Sequence, residues 1–294
     1  MTEWKVSRWF VACVLSTMVL LIPSPVSAQL SLDVMTFNIR TASGRDGDNA
    51  WPNRKALLVE TIERSAPQVI GMQEALGEQI AYLERMLPAY RWIGIDRGLN
   101  GGVGLSEATP IFYRYAELSP IESGNFWLTE TPDTPPVRRT EDRRRGGGRI
   151  VTWARFYHRA SGREIYVFNT HFTLRRDQSQ LDSAALVIDR VSALPADAAV
   201  IVMGDFNNGA EDSDTWRAAT AGRLRDAWTE ADARVGPLAT YGDFGPPEEA
   251  LAERVDWILV GGPIDVRRAE TVVHNDDGRY PSDHYPVVAA LVIP

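Results

Sequence analysis

Apolar runs rich in Val, Ile, Thr and aromatic residues recur along the chain: Leu32–Ile39 (LDVMTFNI), Val69–Met72, Ile111–Tyr115, Ile150–Tyr157, Ile165–Phe172, Ala198–Met203, Val255–Val260 and Val287–Ile293. Their composition and length predict strands. Between them, Arg54–Ser65, with Leu57, Leu58 and Ile62 on one face, Gly77–Leu87 and Gln180–Leu194 carry helical spacing. Strands interleaved with helices place the chain in the layered α/β class. Leu128–Arg149 breaks the pattern with Pro132, Pro135 and Pro136, then Arg138, Arg139, Arg143, Arg144 and Arg145, then Gly146, Gly147 and Gly148. It reads as one long surface loop. Strand signals continue at similar density on both sides, so an insertion fits better than a linker.

The N-terminus has a different rhythm. Lys5 and Arg8 precede a short apolar run, Val11–Ile22, followed by Pro23 and the small residues Ser27 and Ala28. This is the layout of a secretory signal peptide, and the run is short for a bilayer span of about 20 residues. Residues 1–28 are therefore expected to be a cleaved signal, with no stable membrane insertion afterwards, and 29–294 the working domain. The expected location is exported, periplasmic or secreted.

Composition then narrows the classes. In 294 residues there is one cysteine, Cys13, so an intrachain disulfide and a multi-thiolate zinc site are excluded. The formal net charge of −8 argues against indiscriminate nucleic-acid binding, which draws its affinity from phosphate contacts.

Chemistry gathers at the ends of the predicted strands. Asn38 follows VMTF, Glu74 follows VIGMQ, and Asn169 and His171 close IYVFNTH. Asp205 and Asn207 follow AVIVMG, Asp256 opens VDWILV, and Asp283 and His284 precede the last strand. Strand ends are where layered α/β folds display ligand and catalytic groups. Taken singly, each has a plainer reading: Asn38 or Asp256 as a turn residue, Glu74 as the start of a helix near Ala75, a histidine as a structural one. Taken together, carboxylates and amides suit a hard cation, Mg²⁺ or alternatively Mn²⁺ or Ca²⁺. His158 and His274 have no such surroundings and read as surface residues. The chain contains no phosphate-binding G-x-x-x-x-G-K-[ST] loop and no G-x-S-x-G elbow. Asp46–Asn49 begins like a calcium loop, but Trp51 stands where that loop requires glycine.

In this order, VMTFNIR, IGMQEA, FNTHF, MGDFN, RVDWILV and PSDHYPV resemble the motifs of the endonuclease/exonuclease/phosphatase superfamily of metal-dependent phosphoesterases. The likeness spans roughly Ser31 to Pro294. It is nearest to bacterial exported members with a D-G-x-N-x-W-x-x-R segment, here Asp46 to Arg54. The resemblance implies a four-layer α/β/β/α sandwich with the site at one end of two packed mixed sheets. It implies Glu74 as the main Mg²⁺ ligand, helped by Asn38 and by Asp283 through water. It also implies His284 as the essential imidazole held by Asp256, and Asp205 as the group that positions or deprotonates the attacking water. Asn207 would hold the phosphate or that water, His171 would donate to a phosphate oxygen, and Asn169 would support the site.

The expected activity is hydrolysis of phosphoesters by an activated water, on small molecules or lipid headgroups. The alternative is a secreted nuclease acting on DNA or RNA, which would need a continuous basic groove. A non-catalytic binding module is disfavoured because every site position is filled. Arg54 is a candidate for a phosphate, by the planar fork of its guanidinium. Trp51 either lines the cleft or starts the first helix, and Arg149 with the rest of the Arg-rich loop is either a substrate-facing positive spot or a solvated face.

Overall fold

The computed structural model describes residues 1–2, 29–98, 104, 106–135, 148–250 and 252–294. The expected signal segment and Arg138–Arg145 lie outside the described residues, save Met1 and Thr2. Among the described residues no helix is long and apolar enough to cross a membrane.

Two mixed sheets pack face to face. The first has strand order β10-β12-β13-β1-β2-β4-β3, from β1 (Leu30–Asn38), β2 (Val69–Gln73), β3 (Tyr90–Ile93), β4 (Ile111–Arg114), β10 (Ala233–Val235), β12 (Asp265–Thr271) and β13 (Val287–Ile293). The second runs β5-β6-β7-β8-β11-β9, from β5 (Leu118–Trp127), β6 (Ile150–His158), β7 (Glu164–His171), β8 (Ala199–Asp205), β9 (Leu224–Asp226) and β11 (Asp256–Gly261). Helices α1 (Trp51–Ser65) and α2 (Gly77–Met86) cover the outer face of the first sheet. Helices α3 (Gln178–Ser192) and α4 (Asp214–Thr220) cover the outer face of the second.

Alternation along the strands explains the layers. On β1, Leu30, Leu32 and Val34 point between the sheets, while Met35 and Phe37 point outward to Leu58 and Ile62 of α1. On β8, Ile201 and Met203 face inward, while Val200 and Val202 face outward to Val187 and Val191 of α3. Side chains two apart share a face, so a strand apolar at both parities must be buried on both sides. That is the α/β/β/α sandwich expected from the motifs.

The eight predicted strands and three predicted helices are present, with ends shifted by up to three residues. Five strands had no sequence signal, the four-residue β3 among them. β5 carries Pro120 and exposed Ile121, Glu122 and Ser123 at a sheet edge, β12 is half exposed, and β9 and β10 have three residues each. The predicted loop 128–149 joins β5 to β6, which pair side by side through Trp127 and Ile150. It is thus a hairpin connection within one sheet. Its described parts, 128–135 and 148–149, hold neither helix nor strand.

Candidate active site

The inward faces of the strands change from apolar to polar toward one end of the sandwich. β1 runs Leu32, Val34, Thr36, Asn38; β7 runs Ile165, Val167, Asn169, His171; β8 runs Ile201, Met203, Asp205. β2 ends inward on Gln73, and β11 begins inward on Asp256 before Ile258 and Val260. Register brings these ends together. Asn38 lies opposite Gln73 in the parallel β1–β2 pair. His171 lies opposite Asp205 in the parallel β7–β8 pair, and Asp256 opposite Asp205 in the antiparallel β8–β11 pair. β13 runs antiparallel to β1, so the turn before it delivers Asp283 and His284 to the same end.

The strands then leave the sheets by tight turns. Arg40, Glu74 and Asn207 have φ of 52°, 61° and 52°, in the left-handed region that costs a non-glycine residue on the order of 1–3 kcal/mol. No helix begins at Glu74, whose carboxylate instead accepts from the Thr41 amide (3.0 Å) and from Asn38 Nδ2 (3.2 Å).

His284 occupies the centre. Its Nδ1 is 2.9 Å from Asp256 Oδ2, and its Nε2 is 3.7 Å from Asp205 Oδ2. Tyr241 packs edge-on against the ring at 5.0 Å. Burial opposes its charged form, but the Asp256 and Asp205 carboxylates outweigh burial and hold its pKa well above the ordinary value. His171, 3.3 Å from Asp205, is driven the other way by burial and by the cations Arg149 and Arg97. One imidazole is thus held charged and the other neutral. Burial, with Asp256 nearby, pushes Asp205 up to about 7 against the pull of His284. Asn38 Nδ2 (2.9 Å) and the Asn207 amide (2.9 Å) donate to the two oxygens of Asp205.

The donor set suits a hard cation. Glu74, Asp205 and Asp283 border one cleft of about 360 Å³. Burial, with Glu74 nearby, raises Asp283, although His284 and Arg40 oppose this; a bound divalent ion would relieve that crowding. Asp205, Asp256 and His284 also bring ligand-type atoms within 4.8 Å of one another. An imidazolium held charged between two carboxylates is a poor ligand, however, so Glu74 and Asp283 are the better holders. Asn38 departs from its expected part. Its Oδ1 accepts from the Arg40 amide (3.1 Å), and it turns Nδ2, a donor, toward the carboxylates.

Other expectations are redistributed. Asn169 does not border the cleft. Its Nδ2 donates to Met72 O (2.7 Å) and Pro110 O (2.9 Å), and its Oδ1 accepts from Gln73 Nε2 (2.7 Å), so it ties the sheets beneath the site. Arg54 is fully buried, and its guanidinium donates to the carbonyls of Ile39, Arg40, Asn49 and Pro281 at 2.7–2.9 Å. Four of its five N–H groups are committed and the side chain lies buried off the cleft lining, so the expected substrate contact is corrected to a structural strut. Trp51 starts α1 and is buried against Tyr82 and Arg54, away from the cleft. Arg149 does border the cleft, and its Nε and Nη1 are out of water without a hydrogen-bond partner among the described residues. Burial, with Arg97, lowers it to about 10, still charged at neutral pH. His158 bonds Ser161, and His274 bonds Thr61; both are half-buried.

Sequence reasoning missed Arg40, Tyr241 and Gln73. Arg40 forms a two-pronged pair with Asp46 (2.8 and 3.1 Å), and its Nη1 is 3.6 Å from Asp283. Asp46 was visible as part of the D-G-x-N segment, and its partner was the arginine two residues beyond Asn38. Gln73 has the inward parity of Asn38 on the neighbouring strand, a usable signal. Tyr241 carried none.

A structure from Bacteroides vulgatus described as an endonuclease/exonuclease/phosphatase shares 30% identity and a TM-score of 0.81, covering 90% of this chain and 100% of that one. A mannosyl-6-phosphatase of Bacteroides thetaiotaomicron shares 28% identity and a TM-score of 0.79, covering 89% and 100%. An uncharacterized protein of Acanthamoeba polyphaga mimivirus is 28% identical over 165 residues, 53% of this chain and 59% of the viral protein, so the match spans less than two thirds of that relative. The family model for the Endonuclease/Exonuclease/phosphatase family matches residues 35–284, from the second half of β1 to His284, and the chain belongs to that family.

Proposed function

We propose that this protein is a divalent-metal-dependent hydrolase of small-molecule phosphoesters that is exported from the cell. The observation that carries the reading is the Asp256–His284–Asp205 chain at the floor of a cleft whose wall holds Glu74 and Asp283. Phosphoester hydrolysis requires charge neutralisation at the phosphoryl oxygens and a water aligned opposite the leaving oxygen. Glu74 and Asp283 would hold the cation, which supplies that neutralisation when bound. Asp205, poised near neutrality and fixed by Asn38 and the Asn207 amide, accepts a proton from the attacking water. His284, kept charged by Asp256, donates a hydrogen bond to a phosphoryl oxygen as the P–O ester bond breaks, and the leaving oxygen takes its proton from solvent water at the open mouth of the cleft. His171, kept neutral, donates from the other side of Asp205.

Three features favour small substrates over nucleic acid. The cleft volume is that of an ordinary ligand pocket. Two of its cations are already engaged, Arg40 with Asp46 and Arg176 with Glu253, and the net charge is −8. Similarity to a mannosyl-6-phosphatase supports a phosphorylated sugar as the first class to try. The charged, apolar and small-residue order of residues 1–28 supports export.

The test is a panel of sugar phosphates, p-nitrophenyl phosphate, bis-p-nitrophenyl phosphate, phosphoinositides, plasmid DNA and RNA, each assayed with Mg²⁺ and with EDTA. Hydrolysis of small phosphoesters that EDTA abolishes is the expected result. Selective, steeply salt-sensitive cleavage of DNA or RNA would move the protein to the nuclease reading. N-terminal sequencing of the exported product should start at Gln29.

A further inference from the structure

Resting on the phosphoester reading, we infer that Arg149 makes this enzyme selective for phosphate monoesters, by receiving a terminal phosphate oxygen in a niche too small for a second ester substituent. Arg149 sits immediately before β6 and borders two adjoining spaces. One is the main cleft. The other is a void of about 10 Å³ bordered also by Glu74, His171, Thr109, Ile150 and the Arg97–Glu107 ion pair (2.8 Å). A void of that size accepts roughly one water-sized atom. Among the described residues the cleft therefore narrows, on the Arg149 side, to a shallow space for about one oxygen.

The guanidinium itself asks for an anion. Nε and Nη1 are withdrawn from solvent and have no hydrogen-bond partner among the described residues. Leaving buried donors of a charged group unmet is costly, so such groups are usually paired. The contrast with the cleft's other arginines is direct: Arg40 and Arg176 each grip a carboxylate with two nitrogens. Arg149 is within electrostatic reach of Asp205 and Glu74 but hydrogen-bonds neither. A planar fork with free N–H groups beside His171 and Glu74 matches the non-bridging oxygens of a phosphate. A monoester offers three terminal oxygens and two negative charges. A diester offers two oxygens and one charge, and its second alcohol must go somewhere. The open mouth, past Tyr241 and exposed Leu174, takes one leaving group, and the niche takes none.

The experiment compares kcat/KM on p-nitrophenyl phosphate and bis-p-nitrophenyl phosphate at saturating Mg²⁺, for wild type, R149A and R149K, with inorganic phosphate as a competing inhibitor. The wild type is expected to favour the monoester. In R149A the monoester rate should fall ~100-fold or more, the scale of losing one transition-state donor. The diester rate should fall far less, so the selectivity ratio collapses. Phosphate inhibition should weaken in parallel, added guanidinium should restore monoester turnover to R149A, and R149K should lie between. Equal loss on both substrates with the wild-type ratio retained, or a wild type that prefers the diester, overturns the inference while leaving the hydrolase reading intact. Failure of the wild type to hydrolyse any phosphoester of the panel above with any divalent metal overturns the hydrolase reading itself. Matching thermal unfolding of R149A and wild type separates both outcomes from misfolding.

Discussion

His284 is an imidazole whose two nitrogens have different duties. Nδ1 faces Asp256 at 2.9 Å and Nε2 faces the cleft near Asp205. The tautomer and charge of the ring are thus set by a carboxylate that never reaches the substrate. His284→Ala should lower kcat by about 10³-fold, the middle of the range for a positioned acid or base, and should also lower the unfolding temperature, because it leaves the buried Asp205 and Asp256 carboxylates without their cation. Asp256→Asn should act through the ring, since Asp256 is the main group raising its pKa. Nitrogen NMR titration of D256N should find the His284 pKa shifted down toward the ordinary histidine value, alongside the loss of turnover. An unchanged His284 titration in a folded D256N protein would show that the carboxylate does not hold the proton there.

Elements put these residues within reach, and two contacts between elements decide the geometry. The first is Arg54, which projects from α1 and ties the exit of β1 (Ile39 and Arg40 carbonyls) to the turn before β13 (Pro281 carbonyl). Those two segments carry Asn38, Arg40 and Asp283. Arg54→Ala leaves four buried or half-buried carbonyls short of a donor, each worth roughly 1–3 kcal/mol if unmet. It should cost at least ~3 kcal/mol in denaturant unfolding and reduce activity although Arg54 touches no substrate. The second is Gly71 on β2. A Cβ there would lie 2.6 Å from Asn169 Oδ1, so Gly71→Ala must push Asn169 off Gln73 and Met72. The overpacking should destabilise by ~1–3 kcal/mol, read as a lower denaturant midpoint with an unchanged slope.

Legibility in the sequence follows the same division. The eight predicted strands were readable because apolar residues at both parities leave little alternative to a doubly buried strand, whereas ten-residue β5, exposed along its middle, was not. Asn38, Asp205, Asp256 and His171 were readable because each interrupts such a run at its end. Arg54 was misread as a cleft candidate, since a helix-borne arginine looks the same in sequence whether it meets a phosphate or four carbonyls, while Trp51 takes the second of its two readings and starts the helix. Arg40 and Tyr241 enter the site through turns and long-range bridges, which no local period encodes. β9 and β10 are too short to show a pattern at all.

At the scale of the whole molecule, four carboxylates, those of Glu74, Asp205, Asp256 and Asp283, converge on one end of the sandwich. The sheets bury Asp205, Asp256 and Asp283 and half-bury Glu74, and burial raises Asp205 to about 7 and pushes Asp283 up as well. Concentrated negative charge out of water opposes folding, and the apolar faces between and outside the sheets must offset it. A divalent ion that binds only the folded cleft should therefore stabilise the entire protein by RT ln(1 + [L]/Kd), ~2.7 kcal/mol at a hundredfold excess over Kd. For a chain of this size that is a rise in unfolding temperature of roughly 4–5 °C. Glu74→Gln removes one of the crowded charges and one ligand at once. Its metal-free form should unfold at or above the wild-type temperature, its Mg²⁺-dependent rise should shrink to a degree or two, and its hydrolysis should fall by orders of magnitude. Differential scanning calorimetry over a Mg²⁺ series, run on both proteins after EDTA treatment, measures all but the last. Equal Mg²⁺ stabilisation of wild type and E74Q would place the ion away from Glu74, and a wild type whose unfolding ignores Mg²⁺ while EDTA leaves its hydrolysis intact would remove the ion from the chemistry.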